Sequence, residues 1–370
     1  LTFLKKLTAL ITGASLLISN IPFTASAEES YDELTYEVLG NEIKITECSD
    51  TVEEYEIPSE IDGFPVTKIG DDAFSYNIKL KNVIIPDTVK EIDWFAFYHC
   101  ENLEKIVIPD SVKTIGNHSF AGCYSLKSVN LPKSLQVIPS GAFQYCKALE
   151  SIELPEEITN ISNLAFGSCE SLTSITIPYS TREIDHAAFQ DCYNLKEVII
   201  KSPDLTLGSV SFDDCHELTD IIFPTEYECS FDADHSFTLC PKLTSITIPK
   251  NVTYIGSDSF EWSKITTIYG YKGSAAEEYA NSHYIGFKKT ITFIALDEEP
   301  VVTETTDTSA ETTITETTSA ETTTLTDTST KTTTTETAPS TETTTTEENI
   351  IKGDINGDSL VNIGDVIMIR

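Results

Sequence analysis

Five side chains near the C-terminus have the spacing of a cation loop. In "GDINGDSLVNIGDVIMIR" (353–370), Asp354, Asn356, Asp358, Asn362 and Asp365 fall at positions 1, 3, 5, 9 and 12, and Leu360 offers its carbonyl at position 7. A hard cation such as calcium takes six or more oxygens, and one tight loop with this spacing supplies them. Calcium is therefore the expected cofactor. Ser359 stands sixth, where glycine usually makes the sharp turn, and Asp365 stands twelfth in place of a bidentate glutamate. The apolar Val361, Val366 and Ile367 make the stretch too ordered for a merely solvated acidic tail.

The other reactive side chains do not form such a set. His99, His118, His186, His216, His235 and His283 share no metal-ligand spacing, and no nucleophile–base–orienter group stands out. The chain is expected not to be an enzyme. Of nine cysteines, seven (Cys100, Cys123, Cys146, Cys169, Cys192, Cys215 and Cys240) recur on one beat. Stacked units would place them about 4.8 Å apart. That distance permits a disulfide, but parallel side-chain vectors do not suit its geometry, so a ladder of buried thiols is expected. Cys48 and Cys229 lie off the beat and are left as free or bridged.

A formal net charge of −35 excludes the basic surface that nucleic acid demands and opposes docking on anionic membrane. Residues 1–27 read as an export signal: Lys5 and Lys6, a mostly apolar stretch from Leu7 to Ile21, then Ala25-Ser26-Ala27 as cleavage site. No later run approaches the ~18 apolar residues of a membrane span, and no L-P-x-T-G wall-sorting motif is present. A secreted, extracellular protein is expected. The first residue is Leu, which suggests a fragment or an alternative start codon. Residues 301–348 hold 25 Thr, ten acidic residues and one Lys. So few apolar side chains cannot bury a core, and a disordered, self-repelling tether open to O-glycosylation is expected.

Ahead of the tether a repeat dictates the architecture. Phe74, Phe97, Phe120, Phe143, Phe166, Phe189, Phe212, Phe237 and Phe260 are 23 residues apart, except for one interval of 25. Cysteine follows three residues after most of them and leucine three later again. A proline column from Pro86 to Pro249 is interrupted by Lys201, and the residue before each Phe is always Ala or Ser. A fixed period in this range signals a solenoid of about nine coils, each burying its apolar face on the next. In "LESIELP" (149–155), Leu149 turns inward and Ile152 and Leu154 alternate with polar residues. This predicts a short half-buried strand ended by Pro155. A short helical or 3₁₀ turn is expected around Ala142-Phe143, and the small-residue column is expected where neighbouring turns approach closely. The Phe column is expected to form an interior spine rather than a sugar-stacking platform. Surface aromatics such as Trp94, Tyr98, Tyr124, Tyr145 and Trp262 occupy differing repeat positions, so no aromatic strip is expected from them.

The pattern L-x-x-I-x-I-P-x-x-V-x-x-I-G-x-x-x-F-x-x-C over about residues 57–270 resembles the BspA-type leucine-rich repeats of bacterial surface and secreted proteins. The resemblance implies an α/β leucine-rich-repeat solenoid, a right-handed superhelix with short parallel strands on its concave face, acting in adhesion and protein recognition. The beat is disturbed near residues 201–236, where a kink or a distinct local surface is expected. The C-terminal stretch resembles the first half of a type I dockerin, the calcium-dependent plug that binds a cohesin on a cellulosome scaffold. By that resemblance Ile363 and Gly364 would face the cohesin, and a second loop would follow Arg370.

The expected organisation is a signal peptide (1–27), an N-terminal cap (28–58), leucine-rich repeats (59–270), a C-terminal cap (271–295), a linker (296–349) and a partial dockerin (350–370). The N-terminal cap reads as a hairpin around "LGNE", and Ser274 with Glu277 has capping-box spacing for a closing helix. Strand alternation turns Ile84, Val107, Asn130, Glu153, Thr176, Ile199 and Ile222 outward on the concave face. There Ile84 with Val107 and Ile199 with Ile222 would form two apolar patches, suited to a protein partner. The alternative is a cellulosomal component that acts directly in polysaccharide breakdown or binds carbohydrate.

Overall fold

The computed structural model describes residues 29–228, 235–282 and 290–297. The export signal, Cys229, His283, the tether and the calcium-loop residues lie outside the described residues.

Each coil of the repeat carries a first strand where β-branched residues alternate with polar ones, the pattern of a half-buried ribbon. Glu54–Glu56, Asn82–Ile84, Lys105–Val107 and Ser128–Asn130 pair in parallel, residue opposite equivalent residue. Val83, Ile106 and Val129 point inward and are buried. Two further groups continue the pattern: Ser174–Ile177, Glu197–Ile200 and Asp220–Ile222, then Ser245–Thr247, Thr267–Gly270 and Thr292–Ala295. The architecture is the expected leucine-rich-repeat solenoid.

The strand expected before Pro155 needs correction. Ser151–Pro155 keeps its alternation, with Leu154 buried and Glu153 exposed, but pairs with neither neighbour as a strand. The residue that closes the segment, before proline or Lys201, differs at the breaks. It is Ile85, Ile108, Ile177, Ile200 and Ile248 where the sheet is continuous, but Leu131, Leu154 and Phe223 at the two breaks. Unbranched side chains lack the χ1 restriction that favours extended backbone. Where Lys201 replaces proline, its N–H donates to the Ile177 carbonyl (3.0 Å), a bond proline cannot make.

A second short strand, not anticipated from the pattern, recurs in six coils as Glu91–Ile92, Thr114–Ile115, Val137–Ile138, Asn160–Ile161, Glu183–Ile184 and Thr206–Leu207. These too stack in parallel, with the Ile or Leu buried.

The segment around each Phe is not helical, contrary to expectation. Residues two before and two after the Phe take left-handed φ in every coil up to Phe237, as at Leu164 (54°) and Ser168 (60°) around Phe166. The alternation splits the backbone donors. Gly141, Phe143 and Tyr145 donate to the carbonyls of Asn163, Ala165 and Gly167 in the next coil (2.8–2.9 Å), while Gln144 and Cys146 bond locally to Gly141 and Phe143. A helix would satisfy every donor within its own coil and leave the stack without these cross-links. Among the described residues the helix is confined to Ala275–Ser282, beyond the repeats.

The interior follows. The nine phenylalanines are at most 1% exposed and stack face to face, with centroids 4.8–5.8 Å apart and planes within 18°. The small residue before each Phe is buried, and from Ala96 onward its carbonyl accepts the N–H of the preceding coil's Phe, as Ala165 does from Phe143 (2.9 Å). The 25-residue interval does not break the spine: Phe212 and Phe237 stack at 5.5 Å.

At the N-terminal end Leu34–Leu39 and Glu42–Cys48 form an antiparallel hairpin turned at Gly40 (φ 69°), and Glu42–Cys48 runs parallel to Phe64–Ile69. At the other end Tyr279 of the helix meets Phe260 edge-on at 5.7 Å. The capping box is incomplete: Glu277 Oε2 accepts from the Gly273 N–H (2.7 Å), and Ser274 Oγ is buried without a partner among the described residues.

Candidate binding surfaces

Seven thiols form the expected ladder. Each donates to the carbonyl of the previous coil's Phe, from Cys100 to Phe74 (3.0 Å) through Cys240 to Phe212 (3.4 Å). In the first coil Asn77 holds this position, its Nδ2 donating to the Ser49 carbonyl (2.9 Å). All seven are free and buried, as is Cys48. Burial pushes the thiols of Cys100, Cys192 and Cys240 up to about 12, which removes the thiolate that nucleophilic chemistry requires.

The outward face of the first sheet collects the residues expected there. Ile84 is 59% exposed and lies opposite Val107 (50%), with Asn130 next in register. Thr176, Ile199 and Ile222 are aligned in the second group and half-buried. Glu153 is exposed on the interrupted segment between them. There the face opens into a recess of about 270 Å³ whose rim includes Ser151, Glu153, Glu156, Ser174, Thr176 and Lys201. Lys201 Nζ reaches Glu156 Oε1 across it (3.2 Å). The geometry gives two apolar pairs about a polar opening.

On the turn side two of the surface aromatics, Tyr98 and Tyr124, join a cluster with Tyr76 and His99 that the repeat pattern does not predict. Tyr76 stacks on His99 (5.4 Å), Tyr98 meets both rings edge-on, and Tyr124 approaches His99 at 5.7 Å. The residues sit one, two and four positions after Phe, which hid them in the repeat, but the left-handed turn brings those positions together. Glycine makes room: a Cβ on Gly122 would fall 2.9 Å from the His99 ring, and one on Gly141 would run into His118. Burial holds His118 below its ordinary value. Among the described residues no group of three or more His, Cys, Asp or Glu is placed to hold a metal.

These surfaces belong to a repeat whose signature is recognisable by comparison. The BspA type Leucine rich repeat region matches residues 47–173 and 159–280, in six copies. The chain belongs to this family. No curated protein matches it. Among solved structures it is similar to the T. pallidum leucine-rich-repeat protein TpLRR, at 31% identity over 52% of this chain and 91% of that one (TM-score 0.49). It is also similar to a leucine-rich cell surface protein from Faecalibacterium prausnitzii, at 23% identity over 66% and 89% (TM-score 0.37). A leucine-rich-repeat protein from Bacteroides ovatus matches at 21% identity over 73% and 100% (TM-score 0.29). The BspA-type solenoid is a binding scaffold, whose stacked strands present an extended surface to protein partners. Among the described residues no helix is long and apolar enough to cross a membrane.

Proposed function

We propose that this BspA-type protein is secreted, recognises a protein partner on the outward face of its first sheet, and is tethered to a surface scaffold through a calcium-dependent plug. The single observation carrying the recognition is the two outward-facing apolar pairs, exposed Ile84 with Val107 and half-buried Ile199 with Ile222, flanking the opening at Glu153. Apolar side chains bordered by polar ones have the anatomy of a protein interface, an apolar core within a polar rim. Residues 1–27 supply export. Asp354, Asn356, Asp358, the Leu360 carbonyl, Asn362 and Asp365 would hold calcium, with Ile363 and Gly364 facing a cohesin.

Two experiments test the reading. Pull-down of extracellular proteins with the full chain should lose its partner in the Ile199→Asp, Ile222→Asp variant while circular dichroism stays native. Unchanged capture, or glycan-array binding in place of protein, refutes recognition on this face. Attachment is tested by calorimetry with calcium and then cohesins, where capture should vanish on chelation and in Asp354→Ala. A cohesin panel that captures nothing in calcium removes the plug.

A further inference from the structure

We infer that the turn side of the solenoid is a second docking surface, shaped for a basic, arginine-rich polypeptide segment. Its aromatic end is built by Tyr76, Tyr98, His99, Tyr124 and Tyr145. Tyr76 is 62% and Tyr145 43% exposed, so ring faces and edges remain open beyond the stacking of Tyr76 on His99. Tyr76, His99 and Tyr145 hold left-handed φ of 59°, 52° and 61°, a conformation that costs such residues energy and is kept only where the surroundings impose it.

The same column continues as Ser168, Asp191 and Asp214, also left-handed, so the acidic end of the strip lies on the same side of the same turns. Tyr193 stacks on His216 (5.1 Å) to carry the aromatic character into it. Of the carboxylates along the strip, Glu170 is paired with Lys147 (2.7 Å) and Glu217 with Lys242 (2.5 Å). Glu101, Asp191, Asp213 and Asp214 have no lysine or arginine partner among the described residues. Burial, and after it the neighbouring Asp214, raises the carboxyl of Asp191.

Open tyrosine rings beside carboxylates whose partners are His99, His216, Ser168, Gln190 and Thr238 rather than a lysine or arginine complement one kind of side chain. A guanidinium stacks on an aromatic face and pairs with carboxylates in the same pose. From Tyr76 to Asp214 is six coil steps, roughly 29 Å at ~4.8 Å each, which about nine residues of extended chain would span at ~3.3 Å per residue.

The experiment uses the full chain and a fluorescein-labelled nona-arginine peptide, read by anisotropy. Binding is expected to weaken with salt and to fall about tenfold in Tyr76→Ser, Tyr145→Ser and again in Asp191→Asn, Asp214→Asn. Removing the same charge elsewhere, with Glu157→Gln and Glu183→Gln, should change it less than about twofold. Equal losses from both acidic pairs, or none from the tyrosine pair, would show a diffuse polyanion and overturn the assignment. Binding of a soluble β-glucan by Tyr76 and Tyr145 in place of the peptide would overturn it too. The surface is independent of the first sheet, so Ile199→Asp with Ile222→Asp should leave peptide binding unchanged.

Discussion

Phe166 illustrates what one residue type does in this chain. Its ring is sandwiched between Phe143 and Phe189 at 5.5 and 5.2 Å, and its N–H is bonded to the next coil. Truncation removes both stacking faces and leaves a cavity that rigid neighbours cannot close. Phe166→Ala should cost about 3–5 kcal/mol, measured by urea denaturation. A loss under ~1 kcal/mol would mean that the spine is not the core. Asp191 gives a pH signature of known sign. Burial and Asp214 hold its carboxyl above the unfolded value, so its contribution is present in acid and lost as pH rises through the folded value. Asp191→Asn should therefore be more stable than the parent at neutral pH, with the two melting curves converging in acid. Convergence at neutral pH instead would contradict the burial.

At the scale of elements, the breaks in the first sheet track the residue before proline. Leu154→Ile should restore χ1 restriction where Ser151–Pro155 fails to pair. A gain of up to ~1 kcal/mol is expected, with greater amide protection at Ile152; slower exchange without any gain in stability would point to another cause. The first strand was legible because alternation survives even where pairing fails. The second strand was not, since only two residues of each coil pair and a two-residue ribbon carries no period. The capping box was half legible: Glu277 does cap a backbone N–H, but that of Gly273. Spacing places the carboxylate within one turn, and the local backbone path selects the donor.

Taken as a whole molecule, the stack seals its thiols. Buried beneath the turns and with pKa values raised, Cys100 through Cys240 should resist an aromatic disulfide reagent in the native state and react together on unfolding. Staggered reaction in the native protein would show coils opening one at a time.

The 23-residue beat by itself determined the solenoid, its Phe spine, its thiol ladder and its small-residue column, because each is a repeated burial requirement written once per coil. Only the tertiary structure decided what the coils expose. Left-handed turns at residues as different as Ala187, Leu164 and His118 go with hydrogen bonds to the next coil rather than with residue type. Those turns bring Tyr76, Tyr98 and Tyr124 from three different repeat positions into one strip. Residue order fixes what must be hidden; the path of the backbone between coils fixes which visible side chains become neighbours.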